Sequence, residues 1–127
     1  MVNQNKVKTV LIVDNDMEMR QRLSTALAKE GYNVETAQQL GEVLEKTLIS
    51  RTSLIVVNLQ TPNIPGCDTI SMIKKFNSSM PIITITDDDS IETERRVRQE
   101  GVFFYFVKPF ATEDMKIVIN SAIGTKE

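Results

Sequence analysis

Five short apolar segments, each followed by a stretch with helical spacing, constrain the fold of this chain more than any other feature. The first segment, residues 8–13, is rich in β-branched residues and stops at a polar cluster, which is typical of a buried strand meeting a loop. From 17 to 30 the apolar residues recur every three or four positions, and Gly31 follows where helices often end. A strand followed by an amphipathic helix is therefore predicted for the first 30 residues.

The same alternation continues to the end of the chain. Strands are predicted at 32–36, 53–58, 81–86 and 102–107, and helices at 40–49, 67–76, 90–100 and 112–123. Nearly all-apolar strands that alternate with helices indicate an α/β fold, a doubly wound five-stranded parallel sheet of (βα)5 type. Right-handed crossovers bring the carboxyl ends of such strands to one edge, where ligands bind. The residues predicted at that edge are Asp14, Asn15, Asn58, Thr86 and Lys108.

Composition limits the other possibilities. The 127 residues match one domain, with a core predicted at about 8–123 and no output domain after it. Fifteen basic and seventeen acidic residues, without a block of like charges, disfavour nucleic-acid binding. One cysteine and no histidine provide neither an internal disulfide nor a zinc site. No apolar run approaches the ~20 residues of a membrane span, so a soluble cytoplasmic protein is expected.

Four motifs stand in order along the predicted strands. V-D-N-D follows the first strand, N-L-Q-T-P-N-I-P-G begins at the end of the third, I-T-I-T closes the fourth and K-P-F follows the fifth. Together they resemble the receiver domain of two-component response regulators, over nearly the whole chain. The resemblance implies a flavodoxin-like fold and a role in two-component or phosphorelay signalling.

The resemblance also implies roles for individual residues. The family has an acidic pair after the first strand, a phosphoacceptor aspartate at the end of the third, a hydroxyl residue ending the fourth and a lysine before a cis proline. The acids hold Mg²⁺, which neutralises charge on the transferring phosphoryl group, while the lysine and the hydroxyl bind its oxygens. The matching positions are Asn58 for the acceptor, Thr86 and Lys108 for phosphate contacts, and Asp14, Asn15 and Gln60 for the metal.

Two of the three expected carboxylates are amides here, at Asn15 and Asn58. Hard divalent cations prefer carboxylate oxygens, so Mg²⁺ binding is expected to be weak or lost. The amide of Asn58 lacks the nucleophilic carboxylate that forms an acyl phosphate. Phosphoryl transfer to position 58 is therefore not expected, and neither enzymatic activity nor a cofactor is predicted. Thr61 and Asp87 also depart from the family, which usually has methionine and a small residue there.

The resemblance further suggests a contact surface. Tyr105 stands where the family carries an aromatic residue that reports phosphorylation to the face of the fourth helix, fifth strand and fifth helix; a half-buried edge aromatic is the alternative. Pro109 and Phe110 belong to the same predicted interaction region. The expected partner is another signalling protein: a histidine kinase, another regulator or an output protein. Family members also form oligomers through this face.

Three arginines of the fourth helix are interpreted as a solvated face, with partner docking as the alternative: Arg95, Arg96 and Arg98.

Several local interpretations compete. Asp16 is expected to cap the first helix rather than bind a metal. Asp89, three residues before Glu92, fits a capping box better than a cation site formed with its acidic neighbours. Lys108 is expected to pair with Asp14 in place of a phosphoryl group.

Two other functions fit parts of the pattern. A working Mg²⁺-dependent phosphoreceiver would have this sequence pattern if its aspartate at position 58 had been changed to asparagine by engineering. A flavin or nucleotide binder on the same architecture would need a phosphate-cradling loop after the first strand. The loop from Asp14 to Asp16 is anionic and has no glycine, which disfavours that function.

Overall fold

The computed structural model describes residues 7–49 and 51–124. In these ranges strands and helices alternate, and each predicted element is present with its ends within about two residues of the expected position. The elements are β1 (Thr9–Val13), α1 (Met17–Lys29), β2 (Asn33–Ala37), α2 (Leu40–Ile49), β3 (Leu54–Asn58), α3 (Gly66–Phe76), β4 (Ile82–Thr86), α4 (Ile91–Gln99), β5 (Phe104–Val107) and α5 (Thr112–Ile123).

The strands form one parallel sheet in the order β2-β1-β3-β4-β5. Chain order reverses at β1, so helices cover both faces and the predicted doubly wound, flavodoxin-like fold is confirmed. The register aligns the carboxyl ends of the strands. Val13 of β1 pairs with Val57, next to the last residue of β3, and Thr86 pairs with Val107 at the ends of β4 and β5. The residues that follow these strands therefore meet at one edge.

Both faces of the sheet are buried, and each has its own hydrophobic core. Successive residues of a strand point to opposite faces, so a two-faced core makes the strands apolar throughout. The face covered by α1 and α5 buries Val10, Ile12, Leu54, Val56, Ile83, Ile85 and Phe106. The face packed against α2 and α3 buries Leu11, Val13, Ala37, Ile55, Val57 and Ile82.

The helix ends follow local capping chemistry. The Asp16 carboxylate accepts from the backbone N–H groups of Glu18 and Met19, so its predicted role as N-cap of α1 is confirmed. Gly31, just beyond the α1 C-cap Glu30, has φ +94°, a backbone conformation that glycine adopts without steric cost.

The predicted capping box at the start of α4 is wrong by one residue. Ser90 is the N-cap, and its hydroxyl accepts from the N–H of Thr93 at 3.2 Å. Asp88 accepts from the N–H of Ser90 at 2.9 Å and from the Thr93 hydroxyl at 2.6 Å. Ser90 lies immediately before the first helical residue, so its side chain reaches the free N–H groups that Asp89 would have served.

Among the helices that the structure describes, none is long and apolar enough to cross a bilayer.

Candidate functional site

Three polar residues are buried where the sheet ends. Asp14 directly follows β1, while Asn58 and Thr86 are the last residues of β3 and β4. Their exposed fractions are 1%, 5% and 0%. A buried polar side chain must find hydrogen-bond partners, because an unpaired one costs free energy. The partners of these three residues therefore define what the site can bind.

Asn58 and Asp14 are paired directly. The Asn58 Nδ2 group donates to Oδ2 of Asp14 at 3.1 Å, and Oδ1 of Asn58 accepts from the N–H of Gln60 at 2.9 Å. Since the backbone N–H can only donate, it sets the orientation of the amide and aims its NH₂ group at the carboxylate. The other oxygen of Asp14 accepts from the N–H of Asp16 at 2.9 Å. Hydrogen bonds within the chain therefore engage both oxygens of the one carboxylate.

This arrangement does not fit a family-type Mg²⁺ site. Mg²⁺ needs oxygen ligands in octahedral geometry, but an amide NH₂ group occupies the side of Asp14 that faces position 58. The Asn15 side chain is neutral and exposed, and the Gln60 side chain is engaged elsewhere. Within residues 7–49 and 51–124, no group of three His, Cys, Asp or Glu residues could hold a metal ion.

The Gln60 side chain bridges the ends of β3 and β4. Its Nε2 group donates to Oγ1 of Thr86 at 2.8 Å, and its Oε1 accepts from the N–H of Asp87 at 2.9 Å. The Thr86 oxygen also accepts from the N–H of Asp88 at 3.0 Å. Sequence reasoning considered Gln60 only as a metal position and missed this bridge. The only feature of the sequence that indicates such a bridge is the residue type, because glutamine combines a donor and an acceptor on a long side chain.

Lys108 does not pair with Asp14, so that prediction is wrong. Its Nζ lies 3.9 Å from Oδ1 of Asp87, whose side chain is 65% exposed. An ion pair this long and exposed to solvent contributes little stability. The physical reason is that Asp14 is already satisfied by amide donors, while Asp87 extends from the β4–α4 loop toward the lysine. The Lys108–Pro109 peptide bond is cis, as the resemblance implied.

Tyr105 is buried rather than half-buried. It is 8% exposed, and its hydroxyl donates to the backbone carbonyl of Asp88 at 3.0 Å. The guanidinium of Arg98 lies 5.8 Å from the ring centroid. The ring is thereby held against the β4–α4 loop and α4. This contact connects the polar site to the helix that flanks it.

The pKa of Tyr105 is expected to lie above the ordinary value of about 10. Burial raises this pKa most, and the carboxylates of Glu94, Asp88 and Asp89 raise it further, while Arg98 lowers it. A raised folded-state pKa means that the folded chain holds the proton more tightly. The contribution to stability is therefore complete below about pH 10 and is lost as pH rises through the folded-state value.

Tyrosinate absorbance during a pH titration of Tyr32→Phe measures this pKa, because Tyr105 is then the only tyrosine. The double variant Tyr32→Phe/Tyr105→Phe, which has no tyrosine, provides the background from the rest of the chain. A Tyr105 midpoint at or below about 10 would contradict the buried placement of the ring.

The aromatic residues around β5 divide between core and surface. Phe106 is buried and contacts Phe104 and Phe110 at centroid distances of 4.8 and 4.9 Å. Phe110, expected in the interaction region, packs partly against the core that contains α1 and α5. Pro109 is exposed. Phe103 and Phe104 are 45% and 39% exposed, so aromatic surface is present at the amino end of β5, at the edge of the sheet opposite to the site.

The three arginines of α4 are exposed, as expected for a solvated face: Arg95, Arg96 and Arg98. Arg98 forms an ion pair with Glu94 at 2.8 Å, one helical turn away. Ile91, on the same helix, is 70% exposed. The exposed part of α4 therefore combines basic groups with an apolar side chain.

Comparison with known proteins identifies the class. The family model for the response regulator receiver domain matches residues 10–120. The chain belongs to this family, and its function lies in two-component signalling. It is 29% identical over 106 residues to the response regulator MprA of Mycolicibacterium vanbaalenii, an alignment that covers 84% of this chain and 46% of that protein. The chain spans about half the length of the curated relatives that it matches.

Solved structures agree with this classification. A CheY-like receiver domain protein from Methanospirillum hungatei is 28% identical and superimposes with a TM-score of 0.85, covering 91% of this chain and 93% of that one. The beryllofluoride-activated NtrC4 receiver domain dimer is 30% identical with a TM-score of 0.84, covering 91% and 96%. The predicted receiver fold is thus confirmed by geometry as well as by sequence. The roles predicted for individual site residues, and the absence of an output domain, stay predictions.

Proposed function

We propose that this receiver domain signals through protein–protein contacts without phosphoryl transfer to position 58. One observation carries the proposal: the Asn58 amide donates a hydrogen bond to Asp14, at the place where a phosphoreceiver needs a nucleophilic carboxylate beside a metal. Neither the charge nor the nucleophile for acyl phosphate formation is present at this position. The domain then acts neither as an enzyme nor as a strong Mg²⁺ binder, and we place it in the cytoplasm with its signalling partners.

Incubation with acetyl phosphate and millimolar Mg²⁺ is expected to leave the intact mass of the chain unchanged. The physical reason is that an amide nitrogen with a delocalised lone pair does not attack phosphorus, and the neighbouring carboxylate is engaged in hydrogen bonds. A receiver domain that retains its aspartate, treated in the same tube, serves as the positive control. A gain of phosphoryl mass that hydroxylamine removes would show an acyl phosphate on a carboxylate other than position 58, and it would refute signalling that is independent of phosphorylation.

The contact surface that we propose is formed by α4, β5 and α5. It carries exposed apolar side chains at Ile91 and Phe104, together with the basic groups of α4. Exposed apolar groups surrounded by charge are typical of protein interfaces. The partner that we propose is a histidine kinase, another regulator or an output protein, and the same face is available for self-association.

Binding to a panel of purified histidine kinases and regulators from the source organism tests this surface. We expect Ile91→Asp to weaken any interaction at least about tenfold, because the loss of an apolar contact at an interface centre costs about 1.4 kcal/mol or more. Leu48→Asp is the matched control, since Leu48 is 54% exposed but lies on α2. Equal effects of the two substitutions would place the contact surface elsewhere.

A further inference from the structure

A single exposed side chain connects two strand ends at the site. The side-chain amide nitrogen of Gln60 donates to Thr86 Oγ1 at 2.8 Å, and its amide oxygen accepts from the N–H of Asp87 at 2.9 Å. Its own N–H donates to Asn58 at 2.9 Å. Gln60 therefore contacts Asn58, the last residue of β3, and also Thr86 and Asp87, which are the last residue of β4 and the residue after it. Both ends of the Gln60 amide therefore have a partner.

The contacts continue from the bridge to the aromatic ring of β5. The Thr86 hydroxyl oxygen accepts from the N–H of Asp88 at 3.0 Å. The Asp88 carbonyl accepts from the Tyr105 hydroxyl, also at 3.0 Å. The β4–α4 loop thus lies between Gln60 on one side and Tyr105 on the other. A change at Gln60 reaches the ring through three successive hydrogen bonds, which join Gln60 to Thr86, Thr86 to Asp88 and Asp88 to Tyr105.

We infer that Gln60 is a positioning residue, an amide clamp that holds the β4–α4 loop and the Tyr105 ring in one arrangement. The clamp comprises the Gln60 side chain, Thr86 and the N–H of Asp87. This inference rests on the proposed function, because a domain that does not use phosphorylation at position 58 needs another means to fix the loop that borders its contact surface. Its test requires neither phosphorylation nor a partner, so the two proposals can fail separately.

The residue type is specific for this geometry. Asparagine is one methylene shorter and would not span the same two groups from the same backbone position. Glutamate would keep the acceptor for Asp87 but would lose the donor for Thr86. Methionine has nearly the length of glutamine and neither a strong donor nor a strong acceptor. Gln60→Met therefore removes the hydrogen bonds while it keeps most of the side-chain volume.

Hydrogen exchange of the Asp87 backbone amide reports the clamp directly, because this N–H donates to Gln60 Oε1. We expect Gln60→Met to speed the exchange of this amide by about tenfold or more, the loss expected when one well-formed hydrogen bond is removed from a loop. The amides in the centre of β3 should exchange as before. That contrast separates release of the loop from global unfolding.

Acrylamide quenching of tyrosine fluorescence reports the other end of the clamp. The chain has two tyrosines and no tryptophan, so the emission of Tyr32→Phe comes from Tyr105 alone. In this background Gln60→Met is expected to make Tyr105 more accessible to acrylamide. Gln21→Met is the matched control, since Gln21 is an exposed glutamine on α1, and it should change neither signal.

Thr86→Val provides a second, independent test, because valine keeps the shape of threonine while it removes the hydroxyl that joins Gln60 and Asp88. We expect it to reproduce both effects of Gln60→Met. Unchanged Asp87 exchange and unchanged Tyr105 quenching in folded Gln60→Met would overturn the inference. A faster Asp87 exchange with Tyr105 unaffected would also overturn it, since the clamp would then hold the loop but not the ring.

Discussion

Asn58→Asp is expected to lower the free energy of unfolding by about 3–4 kcal/mol at pH 7 and the melting temperature by roughly 11–15 °C. The substitution replaces a hydrogen-bond donor by a second carboxylate 3.1 Å from a buried one. Two carboxylates this close cannot both remain ionised, so the new carboxyl group takes up a proton on folding. The cost of that proton at pH 7 sets the upper limit of about 4 kcal/mol.

The sign of the pH dependence follows from the same reasoning. Burial and the charge of Asp14 raise the folded-state pKa of the introduced carboxyl group above its unfolded value of about 3.9. The variant therefore approaches the stability of the parent chain near pH 4 and falls behind it as pH rises. Millimolar Mg²⁺ should recover part of the loss, because a divalent cation compensates the added charge.

Thermal unfolding of both chains from pH 4 to 8, with and without Mg²⁺, measures these effects. Asn15→Asp is the matched control, since it adds the same charge at an exposed position of the same loop. It should shift the melting temperature only slightly. A variant Asn58→Asp as stable as the parent chain at pH 7 without Mg²⁺ would mean that the contact between Asn58 and Asp14 has been misjudged.

Ile82→Ala and Ile83→Ala are each expected to destabilise the chain by about 2–5 kcal/mol. These neighbouring residues of β4 are both 0% exposed, and they lie in the cores on opposite faces of the sheet. Truncation removes buried apolar surface and leaves a cavity that close-packed neighbours fill only in part. Similar costs at consecutive positions are expected only where both faces of a strand are covered.

Chemical denaturation with guanidinium chloride measures both variants, and the midpoint should fall without a large change in slope. Ile117→Ala on α5 is the control, because Ile117 is 59% exposed and should lose much less than 1 kcal/mol. A large loss at only one of the two β4 positions would contradict a core on both faces.

The fold was predictable to an unusual degree, because in a parallel sheet with two covered faces the strands are continuous apolar runs. The segments that end at Val13 and Asn58 show this directly, since each meets a polar loop at its final residue. Helix boundaries followed from capping chemistry at Asp16 and Gly31. The start of α4 was misplaced because three successive aspartates and a serine all have side chains that cap, and only the backbone geometry selects among them.

The candidate site was predictable in its members but not in its contacts. The amides at positions 15 and 58 indicated from residue type alone that charge and a nucleophile are missing. The pairing of Lys108 with Asp14 was wrong because it assumed that the lysine was the nearest available donor, whereas Asn58 and the N–H of Asp16 reach the carboxylate first. The bridge made by Gln60 depends on side-chain direction in a loop, which residue spacing does not encode.

The order of strands and helices, the two-faced core and the residue types at the strand ends were determined by the sequence itself, because apolar periodicity and side-chain chemistry are local properties of a chain. The tertiary structure decided which polar groups satisfy one another. A buried donor takes the acceptor that the folded backbone brings within about 3 Å, so the partners of Asp14, Thr86 and Lys108 emerged only when separate strand ends met at one edge of the sheet.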